Sequence, residues 1–293
     1  MPRFDYIRPQ TLSETLQLLA DTSRRSRLLA GGTDLLIRIR RNPPDFDHII
    51  DISRLPELKA IVQEEGMVRI GSSVTYTEII NSALLQSLTP FLVQAARLVG
   101  GPQVRNQGTI GGNIVNAAGG ADMLPPLVCL DATLHLQSLR GQRAISLPDF
   151  ILHPKQTGIQ PDEVLTDIVF PAPPPGTAST FIKLGRQRTS GIARITVAAK
   201  GRLDAAGRIE FIRFAPGAVT PRVQRFAAVE SMLLGEQPTP ELLAQAGEEA
   251  ARTMQTITGE RWSTPYKMPA LATLTRRALH AIFLPDEIDH HGA

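Results

Sequence analysis

Two short glycine-rich segments hold the residues best suited to chemistry. One is "AGGTD" at residues 30–34 and the other is "GTIGGN" at residues 108–113. Glycine admits positive φ and, lacking a Cβ, lets backbone N–H groups come close to a ligand. Successive bare N–H groups form a concave anion site, and a helix N-terminus adds partial positive charge. Two such loops can grip two phosphates, with Thr33, Thr109 and Asn113 adding side-chain hydrogen bonds. The same pattern also suits a pair of tight turns, and spacing alone does not choose between these readings.

Two charged residues stand nearby in pattern. Asp122 closes the glycine-rich stretch just before "MLPPLVCL". It can accept from a ribose hydroxyl or an adenine amine, or it can serve as a helix N-cap. Lys183 alternates with apolar neighbours in "TFIKLGR". It suits either a solvent-facing strand lysine or a cation near a ring cofactor. Other nucleotide and metal signatures are missing. No G-x-G-x-x-G, no Gly-Lys pair and no His-Glu pair occurs, which removes the Rossmann fingerprint, the P-loop and the H-E-x-x-H zinc helix. The six histidines lack metal-ligand spacing, and His290–His291 falls in a tail expected to fray.

The surrounding pattern supplies elements to position these loops. Thr11 and Glu14 have capping-box spacing before a helix carrying Leu12, Leu16 and Leu19 on one face. Residues 27–30 read as a buried strand, 35–41 as a helix and 48–52 as a strand. A strand pair turns at Glu65–Gly66, and Thr75 and Glu78 form a second capping box. Residues 89–99 read as a helix opening at a proline. "ATLHLQS", "RAISL" and "VLTDIVF" alternate as strands should, and "PAPPPG" at 171–176 reads as a linker. Beyond it an antiparallel meander precedes helices expected at 223–234, 240–254 and 269–283.

Composition narrows the function classes. The chain has 293 residues, 42% hydrophobic and 20% charged, enough for a sizeable core and about two domains. Its net charge of +3, from 31 basic and 28 acidic residues without like-charge runs, argues against nucleic acid as a partner. The single cysteine, Cys129, sits in an apolar run and excludes both an internal disulfide and a cysteine-ligated iron–sulfur cluster within the chain. The N-terminal residues lack a signal-peptide apolar core, and no apolar run reaches membrane-spanning length. A cytoplasmic, soluble protein is expected.

Four segments in order, "LLAGGTDLL", "GPQVRNQGTIGGNIVNAAGGAD", "FIKLGRQRTSGIARITVA" and "RWSTPYKMPALATLTRRAL", resemble the FAD-binding subunit of the molybdenum hydroxylases, the xanthine dehydrogenase and carbon monoxide dehydrogenase family. The resemblance runs along nearly the whole chain. It implies an α+β fold. Two α/β subdomains of the vanillyl-alcohol-oxidase-type FAD-binding fold, residues 1–56 and 57–172, would clasp FAD. A flavoprotein domain over residues 177–286, a three-stranded antiparallel sheet with a helical bundle, would follow. Leu29, Ala30, Gly31, Gly32, Thr33, Asp34, Leu35 and Leu36 would wrap the pyrophosphate, and Thr109, Ile110, Gly111, Gly112 and Asn113 would form the second FAD loop. Val99 and Val104 would pack near the cofactor, Asp122 would be an acidic FAD ligand, and Leu165 would contact the ring system. Lys183 would lie by the isoalloxazine and favour its anionic reduced form.

The resemblance further implies an electron-transfer subunit of a heterotrimer. A large partner would carry the molybdenum-pterin cofactor, a small one [2Fe–2S] clusters, and NAD or another acceptor would receive the electrons. Neither loop contains histidine, so FAD should be non-covalent, and the protein contributes orientation and electrostatics rather than a nucleophile or acid–base pair. Position 99 is valine where animal relatives often stack an aromatic, so flavin stacking there should be weaker. Two other readings make different demands. A stand-alone flavin reductase, resembling the peptidoglycan enolpyruvyl reductase, needs a general acid. A scaffold that kept the fold would bind no flavin.

Overall fold

The computed structural model describes residues 4–185 and 191–285. The readings at Arg186–Ser190 and at the 286–293 tail, including His290 and His291, lie outside the described residues. The chain begins with β1 (Asp5–Ile7), α1 (Leu12–Ala20), β2 (Ser26–Leu29), α2 (Leu35–Arg41) and β3 (His48–Asp51). It continues through β4 (Ile61–Glu64), β5 (Met67–Gly71), α3 (Tyr76–Asn81), α4 (Ala83–Leu88), α5 (Pro90–Arg97), α6 (Pro102–Gln107), α7 (Ile110–Asn116) and α8 (Leu124–Cys129). There follow β6 (Thr133–Ser138), β7 (Gly141–Ser146), α9 (Leu147–Phe150), β8 (Ile151–His153), β9 (Gln156–Thr157) and β10 (Val164–Pro171). The last elements are β11 (Ala178–Gly185), β12 (Ala193–Leu203), β13 (Ile209–Gly217), α10 (Ala227–Leu233), α11 (Pro240–Thr258) and α12 (Thr264–Phe283).

These elements form two compact units. The first takes the chain up to residue 87, then 99–118 and 131–172; the second takes 88–98, 119–130 and the chain from 173 on. In the first unit, β1, β3 and β2 make a parallel sheet with β3 central and buried at every position. The Thr11 hydroxyl accepts from the Glu14 N–H at 3.1 Å, but the Glu14 carboxylate accepts from Gln10 rather than closing the expected box. Leu16 and Leu19 of α1 enter a core with Ile50, Ile52, Leu55, Leu58 and Val164. The second sheet is antiparallel in the order β4-β5-β10-β6-β7. Its first turn places Glu65 and Gly66 both at positive φ, 49° and 77°, which suits a two-residue hairpin. The Thr75–Glu78 box closes in both directions.

The second unit holds the expected three-stranded antiparallel sheet, β11-β12-β13. Along β12, Ile195, Val197 and Ala199 bury into a core with α10, α11 and α12. The intervening residues face the other way. There the Cys129 thiol of α8 donates to the Ala198 carbonyl at 3.4 Å, and Gly217 lies against Thr196 and Pro125. The Gln94 side chain of α5 accepts from the Phe181 N–H at 3.0 Å. Two mid-chain helices, α5 and α8, thus complete a sheet whose strands come much later.

Several elements differ from the expectations. Strand β1 adds to the expected elements, and so do helices α6, α7 and α8, which the glycine and proline of residues 101–126 conceal by lowering helix propensity. Proline is tolerated in the first turn, where α6 and α8 place theirs. Helix α12 starts at Thr264, not 269, with Pro265 in its opening turn and Pro269 inside. Helix α10 starts at Ala227, not 223, because the Phe226 N–H is bonded to the Phe214 carbonyl of β13 and keeps the chain extended. No helix among the described residues is long and apolar enough to cross a membrane.

Candidate functional site

In the first unit, residues 30–34 join the C-terminal end of β2 to α2. Ligands to parallel α/β sheets commonly sit beyond this edge. The neighbouring strand fixes where the loop begins: the Ile52 N–H donates to the Leu29 carbonyl at 2.9 Å, and Leu29 lies in register with Asp51. Asp51 is buried and accepts from the Arg8 guanidinium, the Tyr6 hydroxyl and the Ser53 N–H. Burial pushes its carboxyl up, but these donors outweigh burial and hold it below the usual carboxylate value.

The two glycines of this loop have separate tasks. A Cβ on Gly31 would lie 1.9 Å from the Gln107 carbonyl oxygen and 2.8 Å from the Gly108 Cα. Gly31 therefore lets the loop rest on the backbone that leads into residues 108–113. Gly32 turns the chain at φ +71°. Among the described residues, no acceptor engages the N–H groups of Gly31, Gly32, Thr33 or Asp34. Asp34 precedes α2 without a side-chain cap, Leu36 is exposed, and Leu29, Ala30, Thr33 and Leu35 are half-buried.

Residues 109–113 behave differently. The Ile110 N–H donates to Val74, Gly111 to Ser72, Gly112 to the Thr109 hydroxyl, and Asn113 to the Thr109 carbonyl, all at 2.9–3.0 Å. The expected anion nest is thus already filled by protein acceptors, because this segment is stitched to the chain after β5. Gly111 is required by that stitching: a Cβ there would meet Ser72 at 2.6 Å. Ile110 is buried and Gly112 exposed. The Asn113 Oδ1 is buried with no hydrogen-bond partner, and so is the Ser72 hydroxyl. Ser72 carried no sequence signal, since its role is a backbone contact made across 39 residues. Val99 and Val104 are half-buried, and the Arg105 guanidinium bonds the Val99 and Gly100 carbonyls. Leu165 is buried in β10.

In the second unit the two charged residues prove to be partners. Lys183 donates to the Asp122 carboxylate at 2.6 Å and to the Leu98 carbonyl at 2.9 Å. The side chains are 9% and 7% exposed, so Lys183 is no solvent-facing strand lysine. Nor is Asp122 a helix cap, for α8 is preceded by Met123 and has no side-chain cap. Burial pushes the Asp122 carboxyl up to about 6, against the pull of Lys183. Its Oδ1 is buried and unpartnered.

Comparison with known proteins shows the family. Residues 2–173 match the family model for the FAD binding domain in molybdopterin dehydrogenase, and residues 180–282 match the CO dehydrogenase flavoprotein C-terminal domain. The xanthine dehydrogenase FAD-binding subunit of Escherichia coli O157:H7 is 33% identical over 276 residues, covering 94% of each chain. The nicotinate dehydrogenase FAD-subunit of Eubacterium barkeri is 34% identical over 247 residues, covering 83% of each. In a solved structure of carbon monoxide dehydrogenase from Hydrogenophaga pseudoflava, one chain superposes with a TM-score of 0.89 at 32% identity, covering 97% of this chain and 98% of that one.

Proposed function

The chain belongs to the family of FAD-binding subunits of molybdopterin dehydrogenases, and from that premise we propose that it is the flavin-carrying electron-transfer subunit of a cytoplasmic molybdenum-cofactor dehydrogenase. It is an oxidoreductase subunit by family. It would work between [2Fe–2S] clusters on a small partner subunit and NAD or another acceptor, with the molybdenum-pterin cofactor on a large partner. FAD supplies the exchange between single-electron and two-electron chemistry when bound.

The observation that carries this reading is the first loop, with four backbone N–H groups that have no acceptor among the described residues. That donor set fits a diphosphate. The orphaned Asn113 Oδ1 of the same unit fits the hydroxyl and N–H donors that FAD also carries. Residues 29–36 would hold the diphosphate. Residues 109–113 would add the exposed Gly112 edge and the Asn113 acceptor, while Val99, Val104 and Leu165 would give apolar contact. In the second unit Lys183 would keep Asp122 ionised and oriented.

The test is a visible spectrum of the chain expressed with FAD and desalted, alone and in the complex pulled from its native cells. Flavin peaks that dithionite bleaches, and that a Gly32→Asp variant loses, are expected. A complex that contains molybdenum and iron but no flavin would sink the proposal.

A further inference from the structure

We infer that Ser73 is a positioning residue of the FAD site, whose hydroxyl ties the first glycine loop to the second. The inference rests on the reading above that the first unit holds FAD. Ser73 follows β5 and is fully buried, which leaves it no surface for a ligand, so it can act only through the groups it bonds. Its hydroxyl donates to the Ile52 carbonyl at 3.2 Å. The Ile52 N–H donates in turn to the carbonyl of Leu29, where the first loop begins, at 2.9 Å. The carbonyls that flank Ser73 in sequence hold the second loop. Val74 accepts from the Ile110 N–H and Ser72 from the Gly111 N–H, both at 2.9 Å. One line of bonded residues thus runs from Leu29 to Gly111 through the Ser73 hydroxyl.

The groups along this line are themselves held. The peptide between Ile52 and Ser53 is gripped at both ends: its N–H donates to the Asp51 carboxylate at 2.9 Å, and its carbonyl accepts from Ser73. The Ser73 N–H donates to the Leu58 carbonyl at 3.0 Å and the Ser72 N–H to the Thr166 carbonyl of β10 at 2.8 Å. A contact such as that of Gly31 on Gln107 limits only how near the loops come, whereas a hydrogen bond also fixes direction. FAD must meet both loops at once, and a preset alignment spares it the cost of ordering them. A neutral hydrogen bond shifts a local equilibrium by up to about tenfold. The affinity for FAD then falls in proportion to the aligned fraction.

Titration of the flavin-free full chain with FAD, and with ADP as a probe of the first loop alone, tests the inference. The Leu55 N–H also reaches the Ile52 carbonyl, at 3.3 Å, so Ser73→Ala orphans no acceptor and should fold. It should bind FAD about tenfold more weakly and ADP within about twofold of wild type. Ser73→Thr, which keeps the hydroxyl, should recover most of the FAD affinity. Equal FAD affinity in Ser73→Ala and wild type would overturn the inference and leave the function standing. Equal losses for FAD and ADP would mean a general loosening of the unit and overturn it too. Wild-type protein that takes up no FAD, alone or in its complex, would overturn both proposals.

Discussion

Gly31→Ala should damage the first unit far beyond the ordinary cost of replacing a loop glycine. The new Cβ would sit 1.9 Å from the Gln107 carbonyl oxygen and 2.6 Å from its carbon, where real Cβ atoms stay beyond 3.0 Å. Both obstacles are backbone, so no rotamer change relieves them. The loop and the Gln107 segment must part by about 1 Å or more. The Gln107 side cannot yield freely, because the next residue, Gly108, donates to Val104 and accepts from Tyr76. Overpacking of this kind costs about 1–3 kcal/mol, and backbone obstacles place it at or above the upper end. Gly66→Ala is the matched control, with φ +77° but open space around it, and should cost about 1–2 kcal/mol from backbone conformation alone. Urea unfolding of the flavin-free proteins gives the stabilities, and flavin retained after desalting gives the functional readout. A Gly31→Ala protein as stable as Gly66→Ala, and retaining flavin like wild type, would refute the close-approach argument.

Three further outcomes follow from the same geometry. Lys183→Met leaves a buried carboxylate alone and should cost about 3–5 kcal/mol in urea unfolding, whereas Lys183→Met/Asp122→Asn should recover most of that loss. The folded Asp122 value of about 6 lies above the unfolded one near 4, so its contribution is full below about pH 4 and lost as pH rises through about 6. The difference in stability between wild type and Asp122→Asn, followed from pH 4 to pH 7, should therefore move against wild type with rising pH; a flat difference would contradict the raised value. Thr109→Val removes the acceptor for the Gly112 N–H and should cost about 1 kcal/mol by chemical denaturation.

How much of this could be read from the sequence depended on distance along the chain. The Thr75–Glu78 box, the Glu65–Gly66 turn and the β11–β13 meander are local patterns, and each formed as its residues suggested. Helices α6 to α8 escaped notice because glycine and proline are poor helix formers, and only tertiary packing holds such short segments. The Lys183–Asp122 pair joins residues 61 apart, and no periodicity announces it. Pattern offered each residue a solitary role, as a strand lysine or a helix cap, and the packing of α5 and α8 on the late sheet created a joint one.

The glycine loops show why residue type alone misassigns chemistry. Both "GG" pairs carry the same signal, bare backbone able to approach something closely. In residues 30–34 Gly31 approaches backbone and Gly32 lies against the Leu29 and Leu36 side chains, while among the described residues no acceptor engages the N–H groups of residues 31–34. In residues 109–113 the N–H groups meet Val74, Ser72 and Thr109, so what this loop can still offer a ligand is side chain and exposed edge. The distinction has a consequence for substitutions. Removing donors is only possible in the first loop, through the backbone conformation set by Gly32, whereas the second loop is sensitive at Asn113. An Asn113→Leu variant should therefore weaken flavin retention by removing one acceptor and leave the fold nearly intact, since its buried Oδ1 has no partner to lose. Gly111→Ala, two residues earlier, should unfold the unit more readily whether or not flavin is supplied, because it strikes Ser72. Equal flavin retention by Asn113→Leu and wild type, measured by absorbance after desalting, would show that the orphaned oxygen serves no ligand.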